Sequence, residues 1–149
     1  MGNDTLRYAL IMLVAGIGIP LLATLNTQLG SRIGSPAAAA AILFVVAFLA
    51  SVAALAMTAG TAPLSLLFAQ PLHLYLGGIL IAFYLLSITW IAPHFGIGNA
   101  IFCVLLGQIM AASVIDHFGL FGAAVHPMNL MRAGGIGIMA VGLLLTQRA

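Results

Sequence analysis

GIGNAIFCVLLGQIMAASVIDHFG, residues 96–119, is the stretch that decides the fold of this chain. A membrane-spanning helix needs about 20 mostly apolar residues, and this stretch has that length. On a helical wheel its small residues fall on one narrow stripe, and Gln108 lies beside the stripe. Small residues let two helix backbones approach closely in lipid, where van der Waals packing replaces the hydrophobic effect. The pattern therefore predicts a packing surface made of Gly96, Ala100, Cys103, Gly107 and Ala111.

Two polar residues of this stretch need partners. An amide in hydrocarbon is costly unless it is hydrogen-bonded, so Gln108 is a candidate for contact with a substrate. The alternative for Gln108 is an interhelical hydrogen bond, worth about 0.6 to 2 kcal/mol. Asp116 lies at the C-terminal end of the predicted helix, where the helix dipole is unfavourable for a carboxylate. Two roles are open for Asp116: an interfacial ion pair with Arg132, or a proton or cation acceptor at the mouth of a pathway.

The composition excludes a water-soluble surface. Hydrophobic residues make up 64% of the 149 residues and charged residues 4%, whereas a soluble domain has about 25% charged residues. The net charge of +2 rests on scattered arginines, which form no basic patch for nucleic acid. No nucleophile–base pair, phosphate loop or metal-ligand motif appears, so we predict no enzymatic activity, metal or cofactor. The chain is predicted to be an integral protein of the lipid bilayer.

Five apolar segments are predicted to cross the membrane as helices. The connections between them are short, so we expect one all-α membrane domain over residues 1–149 and no soluble domain. The predicted spans are residues 7–27, 36–58, 72–91, 97–115 and 130–146.

Other polar residues are candidates for a substrate site. Pro20 is expected to kink the first span, and Thr24 lies on the same face, which either packs or lines a polar cavity. Asn26 and Gln28 follow near the predicted end of that span, where capping or loop bonding is the alternative to substrate contact. Tyr75 lies near the start of the third span, where anchoring in the headgroup region competes with ligand contact.

Local signals mark two further helices. Ser35 and Pro36 are expected to start the second span, with serine as the N-cap and proline at the first helical position. In the last span, Ala133 and Gly137 form a small-xxx-small pair that predicts helix packing.

The arginines are evenly divided between the two sides of the predicted membrane domain. Five spans place Arg7 and Arg132 on one side, and Arg32 and Arg148 on the other. Arginine bias sets orientation, so an even division predicts dual topology and an antiparallel homodimer. Two inverted copies would reproduce the inverted-repeat design of larger transporters, with a site at the midplane. A fixed orientation set by other factors is the alternative.

A family resemblance covers almost the whole chain. The motifs that carry it are Asn26-x-x-Leu29-Gly30, Ser35-Pro36, Gly107-Gln108, Asp116-His117-Phe118-Gly119-Leu120 and a glycine-rich last helix. In these features the chain resembles the YdcZ-like family, which consists of small five-helix proteins of the bacterial inner membrane within the drug/metabolite transporter superfamily.

The resemblance implies a five-helix unit equivalent to half of a ten-helix transporter with two inverted halves. The small multidrug-resistance exporters of that superfamily carry a membrane glutamate in their first helix. The first span here has no acid, so their proton-coupled export of lipophilic cations is not expected.

The predicted function is therefore that of a transporter subunit working by alternating access as an antiparallel dimer. Its cavity is expected between the first, third and fourth spans, and its substrate is expected to be a small neutral or weakly polar molecule. A small dimeric channel and a non-transporting partner subunit of a membrane complex are the alternatives.

Overall fold

The computed structural model of the protein describes residues 3–58, 60 and 62–146. These residues are mostly helical and include no strand, which confirms the all-α prediction. The α-helices are α1 (Asn3–Ile33), α2 (Pro36–Thr58), α3 (Leu76–Phe95), α4 (Ile97–Phe118) and α5 (Leu130–Thr146). Short 3₁₀ helices cover Ala62–Ala69, Leu72–Tyr75 and Leu120–Gly122.

Within the described residues, four helical segments are long and apolar enough to cross a membrane. They are Asp4–Ile33, Pro36–Thr58, Leu72–Phe95 and Ile97–Phe118. The fifth, α5, is also apolar but has 17 residues. At 1.5 Å per residue it is about 26 Å long, close to the lower limit for a span.

The first helix continues past residue 27, where the first predicted span ends. It ends at Ile33 because Gly34 has a φ of 70°, in the left-handed region that glycine adopts without strain. The N–H of Ser35 then donates to the carbonyl of Gly30 at 3.0 Å. This is the closing bond of a Schellman motif. Asn26 and Gln28 consequently lie inside α1 and not at its end.

The start of α2 is as the sequence predicts. Pro36 is its first residue, and the side-chain oxygen of Ser35 accepts a hydrogen bond from the N–H of Ala38 at 3.1 Å. The carbonyl of Ser35 accepts the N–H of Ala39 at 3.1 Å. Serine therefore caps the helix, and proline occupies the position where its missing N–H is not needed.

The chain divides into two compact units, Met1–Ile97 and Gly98–Ala149. In the first unit, α1 packs against both α2 and α3, and α2 packs against α3. Small residues supply much of this packing: Ala23 and Ala39 have no exposed surface, and Ala40 is 1% exposed. The larger buried side chains, Leu85 and Ile88, come from α3.

Gly30 lies where the three helices of the first unit meet. A Cβ atom at this position would be 3.3 Å from the Cα of Pro36 and 3.4 Å from the Cγ2 of Thr89. It would also be 3.6 Å from the Cβ of Ala39. The absence of a side chain on Gly30 thus sets how closely α1 approaches its neighbours.

In the second unit, the connection between α4 and α5 folds back on the end of α4. Gly119 has a φ of 61°, and a Cβ atom there would be 2.7 Å from the Cγ2 of Val125. The N–H of His126 donates to the carbonyl of Asp116 at 2.8 Å. A glycine is therefore needed at the point where the chain reverses.

Gly30→Ala should lower the thermal stability of the protein in detergent, measured by circular dichroism. The new methyl group meets the backbone of Pro36, and overpacking of this kind costs about 1–3 kcal/mol. Gly18→Ala is the matched control, because nothing lies within 4 Å of a Cβ at that position. There the gain in helix propensity, about 1 kcal/mol, should leave stability unchanged or raised. Equal stabilisation by both substitutions would contradict the close packing at Gly30.

Candidate functional site

A buried hydrogen bond joins α1 to α3 inside the first unit. The Nδ2 of Asn26 donates to the Oγ1 of Thr89 at 2.6 Å, and the two residues are 3% and 1% exposed. The Oγ1 of Thr89 in turn donates to the carbonyl of Leu85 at 2.7 Å. A hydroxyl group has one proton, so Thr89 acts as the acceptor toward the amide.

Buried polar atoms of the first unit are left without a partner. Among the described residues these atoms are the Oδ1 of Asn26, the Oγ1 of Thr27 and the hydroxyl of Tyr84. An unpaired buried donor or acceptor costs about 1–3 kcal/mol, and the hydrocarbon of a bilayer offers no water to pair with it. The three atoms belong to α1 and α3, so these two helices carry the unmet hydrogen-bonding capacity.

The predicted substrate contacts are dispersed. Thr24 is exposed and its hydroxyl donates to the carbonyl of Pro20 at 2.8 Å, within α1. Gln28 is exposed on the same helix. Tyr75 ends the 3₁₀ helix Leu72–Tyr75, and its hydroxyl donates to the carbonyl of Leu67. Of these residues, Asn26 alone is buried in the described chain.

Gln108 lies near the middle of α4 in the second unit, and its side chain is exposed. Gly96 precedes α4 and ends α3, with a φ of 86°. Ala100 is 7% exposed and is thus buried. The remaining predicted packing residues are exposed in the described chain: Cys103, Gly107, Ala111, Ala133 and Gly137.

The second unit contains a half-buried ion pair. The Nη2 of Arg132 lies 2.5 Å from the Oδ2 of Asp116, and the side chains are 34% and 31% exposed. The Nη1 of Arg132 donates to the carbonyl of His126 at 3.3 Å. The Oδ1 of Asn129 accepts the N–H of Arg132 at 2.8 Å and caps α5. Arg132 therefore gives the carboxylate at the end of α4 its partner.

His117 makes a second link between α4 and the segment that follows it. Its Nδ1 accepts a hydrogen bond from the N–H of Met128 at 2.9 Å. Its ring packs edge to face against the ring of Phe118, with 4.6 Å between the ring centroids. No group of three His, Cys, Asp or Glu side chains within the described ranges is placed to hold a metal ion. The arrangement of Asp116, His117 and His126 thus serves the connection between α4 and α5.

Sequence reasoning did not assign a hydrogen-bonding role to Thr89, Tyr84 or His117. Thr89 is 63 positions from Asn26, so no local pattern connects them. The available signal was chemical: an asparagine in an apolar helix requires a polar partner, and Thr89 is a polar residue of the third predicted span.

The long apolar helices and the small-residue packing between them define a multi-pass α-helical membrane protein. Residues 7–145 match the profile of a family described as "Putative inner membrane exporter, YdcZ". The chain belongs to this family, and the predicted family is confirmed. No curated protein and no solved structure matches the chain. Membership of an exporter family identifies the protein as a membrane transporter in general terms.

Thr89→Val should destabilise the protein, because it leaves the buried Nδ2 of Asn26 without an acceptor. The expected loss is about 1–3 kcal/mol in the free energy of unfolding. Asn26→Leu combined with Thr89→Val should recover most of that loss, since replacing both partners by apolar groups is nearly neutral. Thermal or denaturant unfolding in detergent measures the stability of the single and the double variant.

The control for this cycle is Ser51→Ala, which removes an exposed hydroxyl that donates to its own helix at 2.8 Å. It should change stability little. If the effects of Asn26→Leu and Thr89→Val simply add, the hydrogen bond does not join α1 to α3 as described.

Proposed function

We propose that the chain is one half of a transporter that works as an antiparallel homodimer and moves a small neutral or weakly polar molecule by alternating access. The observation that carries this proposal is the match of residues 7–145 to an inner membrane exporter family. Five apolar helices correspond to one half of the ten-helix transporters in the drug/metabolite transporter superfamily. A dimer with inverted copies would supply the second half.

The distribution of charge supports the inverted arrangement. Arg7 and Arg32 lie near opposite ends of α1, and both are exposed. Arg7 is 3.9 Å from Asp4, and both side chains are more than three-quarters exposed, so this contact adds little stability. Arg148 lies outside the described residues. Two arginines on each side give the insertion machinery no bias toward one orientation.

Among the described residues of the first unit, no Asp, Glu, Lys or Arg side chain is buried, which supports a neutral substrate. Its described charged residues, Asp4, Arg7 and Arg32, are all exposed. Its described buried polar residues are Asn26 and Thr89. An ion in such surroundings would lack a counter-charge, at a cost of several kcal/mol. We include Gln108 among the substrate contacts because its exposed amide is near the middle of an apolar helix.

Two variants with opposite charge bias test the antiparallel dimer. Asn3→Arg with Arg32→Gln should favour one orientation, and Arg7→Gln with Ser31→Arg should favour the other. All four changes are near the ends of α1, and the described side chains among them are exposed. Differently tagged copies should co-purify when the two variants are expressed together, and copies of one variant should not co-purify with each other. Wild-type protein with a C-terminal compartment reporter should show both locations.

A single reporter location for the wild-type protein would contradict dual topology. Co-purification of tagged copies within one variant, at the level seen between variants, would contradict the antiparallel arrangement. The reporter also provides the control, because each biased variant should show only one location.

A thermal-shift screen tests Gln108 as a substrate contact. The panel contains neutral metabolites, sugars, amino acids and lipophilic cations, and we expect stabilisation from the neutral compounds. A ligand present at 100 times its Kd raises stability by about 2.7 kcal/mol. Gln108→Ala should weaken affinity about tenfold, corresponding to about 1.4 kcal/mol. Gln70→Ala, at an exposed glutamine outside α1–α5, is the matched control. Unchanged affinity in Gln108→Ala would exclude Gln108 from the site.

A further inference from the structure

We propose that the Oδ1 of Asn26 is the acceptor in a binding site for a small neutral molecule that carries an N–H or O–H donor, such as an amide, a urea or an alcohol. The site lies where α1 meets α3. This inference names the ligand class of the proposed transporter, and it rests on that function only for the claim that the ligand is transported.

The orientation of the Asn26 amide fixes which atom is available. The single proton of the Thr89 hydroxyl is donated to the carbonyl of Leu85, so the group facing Thr89 must be the donor, Nδ2. The acceptor Oδ1 is then turned away from Thr89. It is buried and has no hydrogen-bond partner. The free capacity of this side chain is therefore that of an acceptor, which selects for donors.

Two other buried atoms of α1 and α3 also lack a hydrogen-bond partner. Thr27 is the next residue on α1, and its buried hydroxyl has no partner. The hydroxyl of Tyr84, five residues before Thr89 on α3, has none either. Hydroxyl groups both donate and accept. A hydrocarbon ligand would leave all three atoms unpaired, so the unmet hydrogen-bonding capacity of the two helices favours a polar ligand.

An open cavity in the first unit is lined by Trp90, the residue that follows Thr89 on α3. It has a volume of about 460 Å³ and is formed by the start of α2 and by α3, with Pro36, Ser87 and Trp90 among its lining residues. Gly30 packs against Pro36 in the cavity wall and against Thr89, the partner of Asn26. Gly30 therefore lies between the cavity wall and Thr89. A ligand in the cavity would reach Oδ1 only after the helices around Gly30 move apart, and alternation between conformations is the kind of motion that moves packed helices.

The test uses acetamide, which has amide N–H donors, and N,N-dimethylacetamide, which has none. The full-length protein is purified in detergent with ¹³C at the side-chain carbonyl of asparagine, and each ligand is titrated while the NMR spectrum is recorded. The four asparagines give four signals, and Asn3, Asn99 and Asn129 are internal controls. Loss of a signal in Asn26→Leu assigns Asn26. Asn26→Ser gives the same assignment if the first variant does not fold.

We expect acetamide to shift the Asn26 signal in a saturable manner, with dissociation on the order of millimolar for so small a ligand. N,N-dimethylacetamide should bind at least about tenfold more weakly, the factor expected for one lost hydrogen bond. Ser31→Ala, an exposed change on the same helix, should leave the titration unchanged. Equal shifts from the two ligands, or no saturable shift from either, would overturn the proposal.

Transport measurements test the binding site at Asn26 and the transporter function separately. In vesicles containing the protein, uptake of labelled acetamide that is lost in Asn26→Leu supports both proposals. Saturable binding at Asn26 without uptake supports the binding site and contradicts transport of this ligand class. Uptake that persists unchanged in folded Asn26→Leu contradicts the binding site at Asn26 but remains consistent with the proposed transporter function.

Discussion

The absence of water from the bilayer interior is the constraint on which the first unit depends. Every polar group placed there must find its partner within the protein. The bond from Asn26 to Thr89 meets this requirement for the amide donor and fixes which residues of α1 and α3 face each other. It can form because residues such as Ala23, Ala39 and Gly30 let the helices approach closely. The small residues thus permit close contact between the helices, and the hydrogen-bonded pair sets which residues of α1 lie opposite which residues of α3.

The sequence predicted the features that have local causes. Apolar length predicts helices, and the Ser35-Pro36 pair predicts the start of α2 because both residues act within one turn. The helix α1 extends to Ile33, beyond residue 27 where the first predicted span ends, and the Schellman bond from Ser35 to Gly30 that closes it depends on the backbone conformation of Gly34. The pairing of Asn26 with Thr89 joins distant positions, and composition alone does not specify such contacts. Gln108 remains a prediction, because an exposed amide shows its need for a partner but does not identify one.

The two units differ in the electrostatics of their polar contacts. In the first, the buried polar residues described are neutral, and three buried polar atoms, among them the Oδ1 of Asn26, have no partner. In the second, a half-buried ion pair and a histidine tie the segment after α4 to its last turn. Neutral groups bind without the large desolvation penalty of an ion, whereas an ion pair near a helix end stabilises a connection. The polar contacts of the first unit are therefore of the kind that the proposed binding site at Asn26 requires, and the described ion pair of the second unit links α4 to the segment that follows it.

The short connection between α1 and α2 has a consequence for how the protein is made. Gly34 and Ser35 alone separate the two helices, so closing the loop between them costs little chain entropy. The two helices can therefore form a helical hairpin as soon as both have left the ribosome, before α3 has been synthesised. Until α3 arrives, the side-chain amide of Asn26 has no acceptor from Thr89. Because the hydroxyl of Thr89 is synthesised after α1 and α2, the docking of α3 is the step that completes the first unit during biosynthesis.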